Sequence, residues 1–363
     1  MGETPLPSER LLFIVSLQLP EWVVAEIQQV FPNDDVTVYQ SKPKEAVPVP
    51  AELYQNATIL VTFTDLPDIK DAKNLKLIHT LSAGLDHLLS HPILTDTDIP
   101  ITTSSGVHGP PIAEWTLMNW LIASRQYIRT YEAQKERRWD IKKDVFTTTI
   151  HDQVGKKVGI LGYGSIGRQI ARLSQAVGMT VHAYTASPRP TPESRHDNGF
   201  IIPGTGDPDG SIPASWHHGT DKESVRSFLS LGLDHLVVSL PLTKQTTHLL
   251  GDEEFALLSG SSKHPISKPY VTNISRGKVI DQGALIAALK SGHLSGAALD
   301  VTDPEPLPAD NPLWDAPNVQ ISPHVSGLGK EYLPRSLSIV KINIERIDKG
   351  LPLLNAYNRG KDY

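Results

Sequence analysis

Short apolar runs alternate with stretches of helical spacing along the first hundred residues. Strands are predicted at Leu11 to Ser16, Thr58 to Phe63, Leu75 to Thr80 and Ile99 to Ser104, and a helix at Glu21 to Phe31. Strands that alternate with helical patterns are typical of parallel sheets covered by helices. This part of the chain is therefore predicted to form a small parallel sheet.

A long apolar segment follows a cluster of helix-breaking residues. The cluster is GVHGPP, residues 106–111, and its last proline suits the first turn of a helix. Ile112 to Tyr127 is then predicted to be a helix that is apolar on most sides. Such helices are usually buried between domains or in a dimer interface, and we predict both roles here.

A second alternating region begins at Lys156 and ends at a glycine-rich breaker, residues 327–329. Its predicted strands are Lys156 to Gly162, Thr180 to Thr185, Leu236 to Leu240, Tyr270 to Ser275, Gly296 to Val301 and Val319 to Pro323. Helices are predicted at Ile166 to Val177, at Gln282 to Ser291 and finally from about Glu331 to Asp348. The predicted fold is α/β, with two Rossmann-like parallel-sheet domains. Residues 109–327 are inserted into a flavodoxin-like domain built from residues 1–108 and 328–363.

Residues Ser187 to Thr220 interrupt this alternation with a long polar stretch that is rich in proline and glycine. Loops of this length are usually functional lids or disordered segments. A tolerated surface excursion is the simpler interpretation. His217 and His218 are adjacent, but no further metal ligand stands at suitable spacing, so they are interpreted as a solvated loop pair.

Composition excludes several classes of function. A chain of 363 residues exceeds one comfortable core, so two domains are expected. The net charge of −6 and the lack of a basic block argue against nucleic-acid binding. The absence of cysteine excludes disulfides and thiolate metal sites, and no metal is predicted. Neither a signal-like start nor a membrane-length apolar run is present, so a cytoplasmic protein without membrane contact is expected.

The hexapeptide GYGSIG, residues 162–167, lies between an apolar strand and an amphipathic helix, which is the context that a dinucleotide fingerprint requires. Gly162 would make the tight turn, Gly164 would admit the pyrophosphate, and Gly167 would allow close helix–sheet packing. Ser165 and Ile166 begin the helix whose N-terminus would hold the anion. A plain strand–helix turn is the alternative.

The end of the following strand bears on the choice of nicotinamide cofactor. Thr185 stands where an NAD site normally offers a carboxylate to the ribose 2′-hydroxyl. Ser187 and Arg189 follow, and a guanidinium is well suited to a 2′-phosphate. NADP is therefore predicted in preference to NAD, which stays possible. The alternative is that Arg189 merely begins the loop.

Arg276, Glu305 and His324 each follow one of the last three predicted strands. The carboxyl ends of parallel strands face the ligand crevice of such a sheet, so the three side chains should converge there. A guanidinium can bind an anionic 2-oxo acid, an imidazole can deliver a proton near neutral pH, and a carboxylate can orient that imidazole. Singly, each has a plain explanation as a surface or capping residue. Their joint occurrence behind a fingerprint indicates one site.

These motifs, taken together, resemble the D-2-hydroxyacid dehydrogenase family over nearly the whole chain. LSAGLDHL, residues 81–88, resembles the family's substrate loop, and IAEWTLMNWLIA, residues 112–123, resembles the helix that builds its dimer. GYGSIG, NISRG, ALDV-x-x-x-EP and SPHVSG match the remaining signatures in order. The long stretch after Ser187 departs from typical members, whereas AYTASPRP is similar to the NADP-type strand end of glyoxylate/hydroxypyruvate reductases.

The resemblance implies roles for individual residues. Ala83 and Gly84 would hold the substrate carboxylate through their backbone amides. Arg276 would bind substrate, Glu305 would tune the histidine, and His324 would be the acid/base. Cofactor contacts are further implied at Leu240, Pro241, Thr243, Ser275 and Asp300.

The leading hypothesis is an NADPH-dependent reductase that converts 2-oxo acids such as glyoxylate or hydroxypyruvate to D-2-hydroxy acids, as a homodimer. An alternative is a dinucleotide-sensing scaffold like the corepressors of the same fold, which retain the catalytic triplet. The lack of recognisable nuclear basic clusters disfavours it. Formate dehydrogenases are closer relatives, but they resemble a pattern with glutamine where Glu305 stands.

Overall fold

A computed structural model describes residues 9–16, 20–42, 47–139, 149–261 and 268–359 of the chain. The chain divides into two compact units, Met1–Val107 with Lys330–Tyr363, and His108–Gly329. Each unit contains one parallel β-sheet, which confirms the predicted α/β class. That the units are a substrate domain and a dinucleotide-binding domain stays a prediction.

The first unit contains a five-stranded sheet of order β2-β1-β3-β4-β5, and all of its neighbouring strands are parallel. The strands are β1 (Arg10–Val15), β2 (Asp35–Gln40), β3 (Ile59–Thr62), β4 (Leu77–Thr80) and β5 (Ile101–Thr103), with helices α1 (Glu21–Val30), α2 (Ala51–Asn56) and α3 (Pro92–Thr95). The sequence analysis missed β2 because this edge strand is exposed at alternate positions and lacks an apolar run. In contrast, β3 and β4 are buried at every position.

The second unit contains a seven-stranded parallel sheet of order β12-β11-β10-β9-β6-β7-β8. Its strands are β6 (Lys157–Leu161), β7 (Thr180–Thr185), β8 (Ser215–His218), β9 (His235–Val238), β10 (Tyr270–Asn273), β11 (Gly296–Leu299) and β12 (Val319–Ile321). Its helices are α4 (Gly109–Ser124), α5 (Tyr127–Lys135), α6 (Ser165–Ala176), α7 (Pro192–Arg195), α8 (Lys222–Leu229), α9 (Asp252–Gly260) and α10 (Gln282–Lys290). A final helix, α11 (Tyr332–Asp348), belongs to the first unit.

The interpretation of residues 187–220 as one long loop was wrong. The segment contains the short helix α7 and the edge strand β8, which pairs with β7 from His182↔Ser215 to Thr185↔His218. His217 and His218 therefore lie in a strand and are not a loop pair. The four residues SWHH carry no apolar run, and the strand is stabilised by backbone pairing and by packing of Trp216 on Tyr163.

Helix α4 packs against the fingerprint helix α6 and closes one face of the second sheet. Trp120 is fully buried there, and its indole N–H donates to the Thr272 hydroxyl at 2.9 Å. Trp115 packs against the same cluster, so both tryptophans of α4 contribute to packing. Helix α4 is not buried on most of its sides, because the apolar side chains of Met118 and Leu121 are exposed.

Candidate active site

The turn after β10 carries Arg276. The side chain of Asn273 organises this turn, because its carbonyl accepts from the Ser275 N–H and hydroxyl while its amide donates to the Arg276 carbonyl. Ser275, a predicted cofactor contact, is buried, and its hydroxyl bonds to Asn273 at 2.8 Å. The half-buried Arg276 guanidinium donates to the Ser275 carbonyl at 2.8 Å. The backbone thus presents the guanidinium at the carboxyl end of β10.

The turns after β10 and β11 pack directly on each other. A Cβ atom on Gly277 would lie 1.9 Å from the Thr302 carbonyl oxygen, so only glycine fits at that position. Thr302 precedes the loop that carries Glu305. The close approach therefore brings the loops of Arg276 and Glu305 together.

Glu305 and His324 form a hydrogen-bonded pair. The distance between Glu305 Oε1 and His324 Nδ1 is 2.6 Å, and the side chains stay 41% and 49% exposed. Within the described part of the chain, no residue forms a hydrogen bond to His324 Nε2. A neighbouring carboxylate favours the N–H on Nδ1, which orients the ring and leaves Nε2 for substrate.

The turn that carries His324 is built around the buried carboxylate of Asp300. This side chain is 2% exposed and accepts from the Ser322 hydroxyl at 2.6 Å and from the N–H groups of Val325 and Ser326 at 2.9 and 3.0 Å. The Ser326 hydroxyl also donates to it. His324 has φ 56°, a conformation that disfavours side chains, and these bonds stabilise it. The sequence analysis missed this role of Asp300.

The glycines of the fingerprint fit a bound dinucleotide. Gly162 has φ 100°, and a Cβ there would meet the Ser239 carbonyl at 2.2 Å. A Cβ on Gly167 would meet the Gly162 carbonyl at 2.4 Å, whereas the space around Gly164 is open. Gly164 precedes α6 and no side chain caps that helix. Its first N–H groups, beginning at Ser165 and Ile166, therefore form the kind of N-terminus that binds a pyrophosphate.

The loop after β9 lies beside this turn, as the contact between Gly162 and Ser239 requires. Leu240 and Thr243 are half-buried, and Pro241 is exposed. The Thr243 N–H donates to the Thr246 hydroxyl at 2.7 Å, which closes the loop on itself. Residues 240–243 therefore lie at the carboxyl edge of the sheet beside the fingerprint turn, and their contact with the cofactor stays a prediction.

Thr185 ends β7 next to Ser187 and Arg189. The Thr185 hydroxyl donates to the Ser187 carbonyl at 2.8 Å and leaves the Ser187 side chain exposed. Arg189 is half-buried, and Nη1 of its guanidinium donates to the Ser194 carbonyl at 2.6 Å. His218, which the sequence analysis did not assign to the site, is exposed at the pairing position of Thr185 on β8. Its position beside Thr185 follows only from the pairing register of β8 with β7.

The loop after β4 carries Ala83, which is exposed, and Gly84, which is half-buried. The Ser82 hydroxyl donates to the Gly84 carbonyl at 2.9 Å, and the Ser82 carbonyl accepts from the Ser104 N–H at 3.1 Å. The Tyr332 hydroxyl donates to the Leu81 carbonyl. The loop is thus held in one conformation by bonds within the first unit.

None of the helices among the described residues has the length and hydrophobicity needed to cross a bilayer. Over the same ranges, no group of three or more histidine, aspartate or glutamate side chains is arranged to hold a metal ion.

The second unit matches a known family. The match is to the NAD binding domain of D-isomer specific 2-hydroxyacid dehydrogenases and covers residues 117–201 and 213–326, which together are more than half of the chain. The chain therefore belongs to the D-isomer specific 2-hydroxyacid dehydrogenase family.

Individual relatives agree with this assignment. A glyoxylate reductase from Thermofilum pendens is 29% identical over 323 residues, 87% of this chain and 86% of the relative. A D-isomer specific 2-hydroxyacid dehydrogenase from Xanthobacter autotrophicus, solved with NADPH and MES, has a TM-score of 0.74 at 28% identity and covers 98% of this chain and 100% of its own. An NADPH-dependent glyoxylate/hydroxypyruvate reductase from Sinorhizobium meliloti, solved with NADP and sulfate, has a TM-score of 0.74 at 26% identity with the same coverage.

These findings confirm the predicted class of enzyme. The protein is an NAD(P)-dependent 2-hydroxyacid dehydrogenase that binds a nicotinamide dinucleotide and acts on a small-molecule substrate. The glycine turn and the uncapped helix of the second unit are consistent with that cofactor.

Proposed function

We propose that the enzyme reduces short 2-oxo acids, glyoxylate or hydroxypyruvate, to D-2-hydroxy acids, and that it favours NADPH over NADH. The observation that carries this proposal is the 2.6 Å hydrogen bond between Glu305 and His324, with the loop of Glu305 packed against the turn of Arg276. The names of the relatives from Thermofilum pendens and Sinorhizobium meliloti support the substrate class. A cytoplasmic location stays a prediction.

Arg276 is the proposed anchor for the substrate. Its guanidinium lies on a turn that Asn273 organises, and a guanidinium has the fork of N–H donors that suits a carboxylate. Each charge-assisted hydrogen bond of this type contributes about 1.5–3 kcal/mol. When bound, the reduced nicotinamide supplies the hydrogen and the two electrons that reduce the carbonyl. Ala83 and Gly84 stay predicted contacts of the substrate carboxylate.

His324 is the proposed proton donor. With Nδ1 hydrogen-bonded to Glu305, the protonated ring presents its Nε2 proton to the developing alkoxide oxygen of the substrate. The Glu305 carboxylate stabilises the positive ring and fixes its orientation. In the oxidative direction, neutral Nε2 accepts the hydroxyl proton of the 2-hydroxy acid. One histidine thus serves both directions of the reaction.

The proposed NADPH preference depends on the end of β7. Thr185 cannot repel a 2′-phosphate as a carboxylate would, and the exposed Ser187 hydroxyl can donate to one. Arg189 holds a guanidinium a few residues further on, in a turn that its bond to Ser194 stabilises. Phosphate recognition by arginine is common in proteins. The comparison of dissociation constants for NADPH and NADH, repeated on Arg189→Ala, tests this preference.

A steady-state assay tests the reaction itself. NADPH oxidation is followed with glyoxylate, hydroxypyruvate, pyruvate and a bulky aromatic 2-oxo acid. We expect the first two to have the highest kcat/KM and His324→Ala to lower kcat by about 10²–10⁴. His293→Ala is the matched control, because His293 is exposed in the loop before β11, at the opposite edge of the sheet. Wild-type rates equal to those of His324→Ala would refute the proposal.

We propose further that the enzyme is a homodimer that associates through α4 and α5. These helices expose the apolar side chains of Met118, Leu121, Tyr127, Ile128 and Tyr131. Exposed apolar patches of this kind are typical of protein interfaces. Light scattering should give twice the monomer mass for wild type and for the control Ile69→Glu, but the monomer mass for Ile128→Glu. A monomeric wild-type protein would contradict the proposal.

A further inference from the structure

Residues 202–212 lie outside the family match, which stops at residue 201 and resumes at 213. The segment lies within the long interruption between β7 and β8. It contains a buried acidic residue, Asp207, which is 4% exposed. An acidic side chain is rarely buried unless its oxygens are bonded. The partners of Asp207 therefore indicate what the segment does.

The Asp207 carboxylate bonds directly to the dinucleotide fingerprint. Its Oδ2 accepts from the hydroxyl of Tyr163, the second residue of GYGSIG, at 2.8 Å. The Ser211 N–H donates to Oδ1 at 3.0 Å, and the Ile212 N–H donates to Oδ2 at 3.2 Å. Burial, reinforced by the nearby carboxylate, raises the pKa of Tyr163, so this phenol stays a donor at any physiological pH. The segment is thus attached to the turn that faces the pyrophosphate.

The fingerprint helix α6 makes a second attachment. Arg168 is buried, and its guanidinium donates to the carbonyls of Asp207 and Arg195, the latter at 2.6 Å. The neighbouring Gln169 accepts from the Gly206 N–H at 2.6 Å. These side chains belong to the first turns of α6, directly after the uncapped N–H groups. The segment therefore braces the part of the helix that would hold the anion.

A third contact reaches the turn that follows β7. Gly210 has φ 65°, and a Cβ there would lie 2.5 Å from Arg195 Cβ. The Arg195 guanidinium lies over the Trp216 ring at 5.6 Å, and its Nε donates to the Arg189 carbonyl at 2.9 Å. The same segment thus supports the turn between Arg189 and Arg195, where we propose that the 2′-phosphate binds.

We propose that Asp207 is a positioning residue for the cofactor. The segment 202–212, which we call the clamp, holds the fingerprint turn, the start of α6 and the Arg189–Arg195 turn in their binding geometry before the dinucleotide arrives. Ordering these parts in advance lowers the conformational cost of binding and so raises affinity. The clamp contacts no predicted catalytic residue. The inference rests on the proposed function in one respect: the Arg189–Arg195 turn is taken to bind the 2′-phosphate.

The test compares dinucleotide affinity with turnover. Asp207→Asn keeps the size of the side chain but removes its charge, and Tyr163→Phe removes only the donor. We expect each to raise the Kd for NADPH about tenfold, which corresponds to 1.4 kcal/mol. The loss in the double variant should be smaller than the sum of the two single losses, because Tyr163 and Asp207 contact each other directly. The kcat of Asp207→Asn at saturating NADPH should equal that of wild type.

Asp209→Asn is the matched control, because Asp209 is exposed two residues away in the same segment. A Kd for the clamp variants equal to that of the control, with the fold intact by circular dichroism, would overturn the clamp. Losses of Tyr163→Phe and Asp207→Asn that add fully would also overturn it. The proposed NADPH preference fails separately, if wild type binds NADH as tightly as NADPH.

Discussion

Two buried aspartates hold functional turns towards opposite edges of the seven-stranded sheet. Asp300 holds the turn of His324 after β12, and Asp207 holds the clamp beside β7 and β8. Both accept hydroxyl and backbone N–H groups, and both are at most 4% exposed. Asp300 lies in a segment that the family match covers, whereas Asp207 lies between its two matched ranges. In both places a buried carboxylate that accepts several hydrogen bonds fixes a turn. We propose that one turn serves the reaction and that the other serves cofactor binding.

The two edges of the sheet also differ in how extensively their polar side chains are hydrogen-bonded. Glu305 and His324 share one hydrogen bond and stay about half exposed, so Nε2 is available to exchange a proton. Arg189 and Arg195 are bonded to the backbone of their own turn. The proposed catalytic pair thus keeps a reactive atom accessible, whereas the two arginines of the proposed phosphate site are already hydrogen-bonded.

The largest effect is expected from Asp300→Asn. The amide places an N–H₂ group against donors that the carboxylate accepted, so at least one buried donor loses its partner at a cost of about 1–3 kcal/mol. We expect the free energy of unfolding to fall by about 3 kcal/mol and kcat to fall as the His324 turn moves. Urea denaturation and steady-state kinetics measure both.

Asp207→Asn is the counterpart that sharpens the comparison. It should lower stability to a similar extent but leave kcat at saturating NADPH unchanged. If Asp300→Asn retained full kcat, the two aspartates would be equivalent scaffolding and the distinction between the two edges would fail.

A smaller effect is expected from Glu305→Gln. Glutamine can still accept from Nδ1 but carries no charge to stabilise the protonated ring, so kcat should fall by about 10–100-fold. Because this half-exposed pair contributes little to folding, the free energy of unfolding should change by less than about 0.5 kcal/mol. Parallel assays of turnover and urea denaturation check this. A large loss of stability with little loss of kcat would assign Glu305 to scaffolding instead.

The smallest effect is a pH dependence of folding stability that arises from two buried histidines. Burial lowers the pKa of His79 to about 3 and the pKa of His235 well below its ordinary value. Below about pH 6.5 these histidines bind protons in the unfolded chain but stay neutral in the folded protein. The free energy of unfolding therefore falls as the pH falls. Each group contributes up to about 1.4 kcal/mol per pH unit.

His79→Gln should therefore be less stable at pH 7, because the bonds of His79 to Thr102 and Ser104 are lost. Its stability should also depend less steeply on pH between 6 and 4. Urea midpoints measured across that range provide the check, and identical slopes for variant and wild type would contradict it. Once this pH dependence of folding stability is known, the remaining pH dependence of activity can be assigned to the Glu305–His324 pair.

Much of this organisation could be predicted from local patterns. The strands β3 and β6 consist mainly of apolar residues, and GYGSIG stands between a strand and a helix. The edge strands β2 and β8 were missed because none of their residues is fully buried and their stability comes from backbone pairing with a neighbour. The helical start at Gly109 was placed three residues late, since Gly-Pro-Pro predicts a breaker.

The sequence by itself determined the α/β class, the fingerprint and the three strand ends that carry Arg276, Glu305 and His324, because these depend on periodicity and on neighbours in the chain. Only the tertiary structure decided that Asp300 holds the histidine turn, and that Asp207 bonds to Tyr163 across 44 residues. Such bonds depend on the register and packing of distant segments. Their partners share no local pattern, so no reading of neighbouring residues could pair them.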